Sequence, residues 1–417
     1  MQIRKSGRNK LLIIFLIIAL GLGLSCSEKY WPELNPAYEN LLVIDGKITN
    51  EPGPYTINLS TSSSIEENSF NPLSNAQVVL SDDFGNSELL LETSSGKYQT
   101  AINGLQGIIG RKYKISIIAN GKSYESSFEE LKNPIEVEKL NAEWVKHTGA
   151  SDEEDEYGYQ FYLSTETASE ALNYYYWELT ETYQYTSYYF AHSIYWGKNL
   201  PGKNGFEFFL HPDTLFICWN SRQIDERFSY TTKNLKIPKL NRFVINFVPN
   251  SEKLNFKYAL QVKQYTISEN AYIFLNSLQK QNDIENSLYT TQPFQILGNV
   301  QNVDDPEEPV LGYFLTAGVN ESKPLLVNRP IGFYIPSDWG ECSVLTADNI
   351  FNVMQRVQAL PSRYWPVILA VDPNPENTNP ILVDAECVDC RVKGGVPVRP
   401  AFWDDNSLLN TPDGKIK

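Results

Sequence analysis

From Leu41 to Phe128 the chain is written in short runs that alternate apolar and polar residues: LLVIDGKIT, PYTINLS, AQVVLSD, SELLLET, KYQTAI and RKYKISIIANGKSYESSF. Successive side chains on a strand point to opposite faces, so a period of two gives each run one apolar and one wet face, which a helix cannot do. Between the runs stand Asp83-Phe84-Gly85-Asn86, Ser95-Gly96 and Asn120-Gly121, residue types that supply the backbone conformations of hairpin turns. The pattern predicts a meander of hairpins. Composition agrees: 25 Tyr, 20 Phe and 8 Trp against 2 Met mean cores built from aromatic and β-branched side chains, which fit a pleated surface best.

About ninety residues with turns at this spacing predict an immunoglobulin-like β-sandwich over residues 41–132. The order also resembles the carboxypeptidase-regulatory-like modules that precede outer-membrane proteins. The resemblance rests on Val43-Ile44-Asp45-Gly46, on Ala76-Gln77-Val78-Val79-Leu80 with its Asp-X-Gly turn, on Gly96-Lys97-Tyr98 and on Gly110-Arg111-Lys112-Tyr113-Lys114-Ile115. It implies a structural module rather than an active site. Leu131-Lys132-Asn133-Pro134 reads as a linker, and residues 133–417 as a larger β-rich domain with an aromatic tract and a Cys-rich end. Within it, GYQFYLSTE and KYALQVKQYTIS read as strands. The period then changes: Tyr272, Leu275, Leu278 and Gln279 recur at helical spacing, with Ser268 placed as N-cap. A second, short helix is expected from Thr346 to Leu360. The fold class is therefore mainly β, an N-terminal sandwich followed by a larger β-rich domain with one or two helices.

Residues 1–25 carry four cations (Arg4, Lys5, Arg8, Lys10) and then an apolar stretch from Leu11 to Leu24, ending at Ser25-Cys26. This is the pattern of a lipoprotein export signal, with an apolar region too short for a comfortable membrane span. Cys26 is then the first mature residue and carries lipid. Residues 26–40, polar and proline-bearing, read as a tether between lipid and folded body. The expected location is the outer membrane, lipid-anchored. Ser27-Glu28-Lys29 offers a single acid as a surface-display tag, so the surface and the periplasmic face stay open. The net charge of −15 becomes −19 once residues 1–25 are removed, and no basic stripe is left to bind nucleic acid.

With Cys26 lipidated, Cys218, Cys342, Cys387 and Cys390 are left to pair. Cys387-X-X-Cys390 could be a redox motif, half of a zinc site or part of a disulfide framework. Export favours structural disulfides, and four cysteines allow three connectivities, which spacing alone does not separate. The acidic runs Asp152 to Glu156 and Asp304-Asp305-Pro306-Glu307-Glu308 lack the spacing of a calcium loop. His147, His192 and His211 sit in unrelated contexts, with neither H-E-x-x-H nor G-x-S-x-G present. No enzymatic activity, metal or cofactor is expected.

Between Tyr174 and Trp196 lie eleven aromatic residues. On one extended strand Tyr183, Tyr185 and Tyr189 share a side, while Tyr188 and Phe190 take the other. Aromatics on both faces exceed what a half-buried strand needs, which makes Tyr183, Tyr185, Tyr188, Tyr189, Tyr195 and Trp196 candidates for a surface that holds a glycan or peptide. The competing reading is two paired strands buried on one face, with Tyr hydroxyls reaching water on the other.

The mature chain as a whole resembles a family of lipoproteins of unknown function from Bacteroidota-type bacteria. The carrying pieces are Asn40-Leu41-Leu42-Val43 with Asn50-Glu51-Pro52-Gly53-Pro54-Tyr55, Ser268 to Leu275, Gly298-Asn299-Val300-Gln301-Asn302, Leu311-Gly312-Tyr313-Phe314, and Cys387-Val388-Asp389-Cys390-Arg391 with Pro400-Ala401-Phe402-Trp403. The resemblance implies a companion of a TonB-dependent outer-membrane transporter, acting in nutrient uptake by substrate capture or docking. The rivals are a structural or adhesive envelope lipoprotein and a glycan or peptide hydrolase.

Overall fold

Alternation becomes sheet wherever the sequence announces it. A computed structural model describes residues 40–62, 71–149, 155–167, 172–190, 193–196, 207–210, 213–225, 228–285, 296–335, 342, 364–368 and 381–403. The export signal, Cys26, the tether up to residue 39, residues 152–154 of the first acidic run, His192, His211 and the helix expected at 346–360 lie outside the described residues. The fold is mainly β, with sheets of eleven, six, three and four strands and one α-helix among the described residues. No described helix is long and apolar enough to cross a membrane.

The N-terminal hairpins form two sheets facing each other. Leu42–Thr49 pairs with Thr56–Thr61, and Gln77–Asp82 with Lys112–Ala119. Ile44, Leu59 and Tyr98 from one sheet meet Val78, Leu80 and Ile115 from the other in a single buried cluster. The expected turns form: Gly85, Gly96, Asn120 and Gly121 all have positive φ. Asp82 Oδ1 accepts the Phe84 and Asn86 amides at 2.9 Å, which closes the first of them.

This sandwich is completed from far along the chain. Leu42–Thr49 runs parallel to Leu311–Glu321, and Val300–Asn302 adds to the free side of Lys122–Ser126. Val300, Val310 and Phe314 enter the same core as Ile44 and Leu59. Hydrogen bonds thus cross the boundary expected near residue 132. The parallel pair needs a glycine at 312, where φ is +84° and a Cβ would fall against the Ile44 carbonyl.

Tyr174–Thr186, thirteen residues long, is the central strand of the larger region. It has Lys257–Ile267 on one side; on the other, Phe228–Thr231 covers its first half and Ile217–Gln223 its second. Both faces are covered. Tyr175, Trp177 and Leu179 pack with Phe161 and Ile245, while Tyr174 and Tyr176 pack on the opposite face with Tyr265 and Phe274. The surplus of aromatics on two faces therefore reflects a strand between two cores.

The helix, Glu269–Glu285, starts where Ser268 Oγ accepts the Ala271 amide at 3.1 Å. Its buried stripe centres on Ala271 and Phe274, with Tyr272 and Leu275 beside them and Leu278 38% exposed. Phe274 lies against Tyr313, ring centroids 4.9 Å apart.

Candidate functional site

The end of the aromatic strand is tied to the Cys-rich segment. Cys218, in Ile217–Gln223, is bonded to Cys390, and Cys342 to Cys387. The two half-cystines of Cys-X-X-Cys are thus used in different bridges, which leaves neither a vicinal redox pair nor free thiolates for zinc. Tyr185 is only 8% exposed. Its hydroxyl donates to the Cys390 carbonyl at 2.6 Å and accepts the Gly395 amide at 3.0 Å. Trp219 and Val396 exchange backbone hydrogen bonds of 2.9 Å, and Trp403 Nε1 donates to Gln184 Oε1 at 3.3 Å. Residues 387–403 therefore form a clasp over the strand end.

This clasp divides the aromatic candidates. Tyr185 is mostly buried and anchors the clasp through its hydroxyl, leaving only an edge of its ring at the surface. Tyr189 is half-buried, with its hydroxyl donating to the Cys342 carbonyl at 3.1 Å. Tyr183 is half-buried and, with Tyr185, Lys393 and Glu252, lines a hollow of about 160 Å³. Tyr188 is 49% exposed. Tyr195 and Trp196 belong to Ser193–Trp196, which pairs with Glu207–Leu210; their side chains lie outside what is described.

Two residues before Tyr183, on the same face of the strand, stands Glu181, its side chain 3% exposed. It accepts Arg222 Nε at 2.6 Å, Lys253 Nζ at 2.9 and 3.1 Å on its two oxygens, and the Tyr258 hydroxyl at 3.0 Å. Burial pushes its pKa up, but the Lys253 and Arg222 bonds outweigh that and hold it below the usual carboxylate value. Beside the cluster opens a basin of about 420 Å³. Sequence reasoning missed these residues, because nothing local marks Glu181 and its cations arrive from 41 and 72 positions away.

On the strand's other face, between the helix and the edge of the N-terminal sandwich, lies a cleft of about 710 Å³. Ile273 from the helix, Leu297 and Val303 form exposed aliphatic parts of its wall. Asn270, Ser277 and Gln301 supply amide and hydroxyl groups; no Lys or Arg lines it, and the carboxylate in its lining, Glu125, is paired with Lys114 at 3.0 Å. Tyr313 is part of the lining, and its hydroxyl donates to Glu129, which is buried behind it. Desolvation raises the pKa of Glu129 despite that bond. Glu129 Oε2 has no hydrogen-bond partner among the described residues.

The second acidic run forms a turn. Asn302 Oδ1 accepts the Asp304 and Asp305 amides, and Glu308 pairs with Lys122 at 2.8 Å. Among the described residues no group of three or more acids, histidines or cysteines is arranged to hold a metal ion.

A family model described as a domain of unknown function, DUF4249, matches residues 27–323. The chain belongs to the DUF4249 family. The DUF4249 match spans the sandwich, the strands at 300–302 and 311–321 that complete it, the aromatic strand, the helix and both concavities. It ends before Cys342, so three of the four bridging cysteines lie beyond the DUF4249 region. No curated protein matches the chain.

Proposed function

We propose that this DUF4249 protein is a non-enzymatic, lipid-anchored outer-membrane accessory of a TonB-dependent uptake complex, and that it captures an uncharged ligand in the cleft beneath its helix. The cleft carries this reading. Its volume of about 710 Å³ falls in the range of small-ligand sites, and its mix of aliphatic walls with a few amides and hydroxyls suits a glycan or peptide fragment. The sequence supports the address: an export signal, a lipid acceptor at Cys26 and a polar tether that would hold the body beside a transporter. Two disulfides fit an oxidising compartment. The N-terminal sandwich, immunoglobulin-like in its strand spacing, would serve as spacer or docking element.

The deciding experiment is a mild-detergent pull-down of the native lipoprotein through a C-terminal tag, with mass spectrometry of its companions. A stoichiometric TonB-dependent barrel is expected, and a lipoprotein recovered alone would remove the uptake role. Cys26→Ala should shift the protein from membrane to soluble fraction; continued palmitate labelling of that variant would contradict the anchor. Ser277→Trp, placed at a lining position, should block ligand uptake while leaving the barrel in the pull-down.

A further inference from the structure

The basin beside Glu181 lies on the face of the aromatic strand opposite the helix and its cleft. We infer that it binds the carboxylate of a small organic acid, with Arg222 as the recognition residue and Glu181 as the group that positions it. Glu181 takes Arg222 through Nε alone, at 2.6 Å. The two terminal nitrogens of the guanidinium make no hydrogen bond among the described residues, and the side chain is 55% exposed where it lines the basin. A guanidinium anchored through Nε presents its remaining donors as a planar fork, the shape that takes a carboxylate in two parallel hydrogen bonds.

Glu181 shares two cations: Lys253 bonds both of its oxygens and Arg222 one of them, with Tyr258 donating as well. Asp225 lines the same basin and acts on Arg222 through its charge rather than through a hydrogen bond. Two cations, Arg222 and Lys253, and two acids, Glu181 and Asp225, line the basin. The rest of the wall is mixed: Ile224, Phe247, Val248 and Pro249 give it an apolar surface, with Gln223 and Asn246 beside them. Phe247 is held in place by His147, stacked on it at 4.1 Å. An inorganic anion would leave that wall unused. An acid with an aliphatic or aromatic body would cover it, and a volume of about 420 Å³ accommodates such a molecule.

Calorimetric titration of the full mature protein with 3-phenylpropanoate, 3-phenylpropanamide and inorganic phosphate tests this. We expect saturable one-site binding of the acid, and binding at least about tenfold weaker for the amide and for phosphate, because both fork and wall are needed. Arg222→Gln should lose about as much. Should that variant fold poorly, Arg222→Lys decides, since it keeps the charge beside Glu181 and removes only the fork. The inference is overturned if the wild type shows no saturable binding, if the amide or phosphate binds as well as the acid, or if Arg222→Lys binds the acid as the wild type does.

Discussion

Three glutamates, Glu129 and Glu181 buried and Glu178 half-buried, show how partners decide the protonation of the same side chain. Glu178 and Glu181 are pushed up by burial but pulled lower still by Lys47 in one case and by Lys253 and Arg222 in the other. Glu129 has a tyrosine hydroxyl and no cation, so burial prevails and its pKa rises above the ordinary 4.5. The folded state then holds the Glu129 proton more tightly than the unfolded chain does. Its contribution to stability is complete below pH 4.5 and is lost as pH rises through the folded value. Glu129→Gln should remove that slope and make the protein more stable than wild type at pH 7, as read from urea midpoints between pH 4 and 8. Glu181 runs the other way, because its stabilisation is present above pH 4.5 and is lost as pH falls through the lowered folded value. Glu181→Gln should cost roughly 1–3 kcal/mol at pH 7, less than a fully buried pair would, since Arg222 can rehydrate. An equal or higher urea midpoint for that variant would contradict the account. None of this was legible in the sequence: a glutamate among tyrosines announces neither its burial nor its cations.

Among elements, those governed by neighbours in sequence were legible. The hairpin turns, with glycine or asparagine at positive φ, and the helix start at Ser268 follow from local chemistry, so the residues that make them are the residues that reveal them. The aromatic strand was legible as a strand but not as a covered one. Alternation identifies two faces, while what covers each face is supplied by segments such as Phe228–Thr231 and the helix. The clasp was legible only as four cysteines without partners. It predicts that Cys390→Ser, which opens a bridge between residues 172 positions apart, lowers stability by about 2–5 kcal/mol. Limited trypsin digestion followed by intact mass should show cleavage at Arg391 or Lys393 in that variant well before it appears in the wild type. Equal cleavage rates would mean that Trp403 and Tyr185 hold the clasp without the bridge.

At the scale of the molecule, the two regions separated by sequence reading share strands. The expectation of a sandwich confined to residues 41–132 could not anticipate this, because periodicity over ninety residues carries no trace of a parallel partner at 311–321. A fragment of residues 41–132 lacks Val300, Val310 and Phe314 from its core and should remain unfolded by circular dichroism. The full chain should unfold without releasing the N-terminal hairpins first. A folded fragment would show that the shared strands add to a core already sufficient. The pairing of the cysteines has a consequence for biogenesis. Cys387 and Cys390 are three positions apart, so the contact they make most often in an unfolded chain is with each other, and that bond excludes both native bridges. Formation of both native bridges is then expected to need a thiol–disulfide isomerase to undo the local bond. A host without that enzyme should accumulate a misbridged form, distinguishable by its mobility on a non-reducing gel.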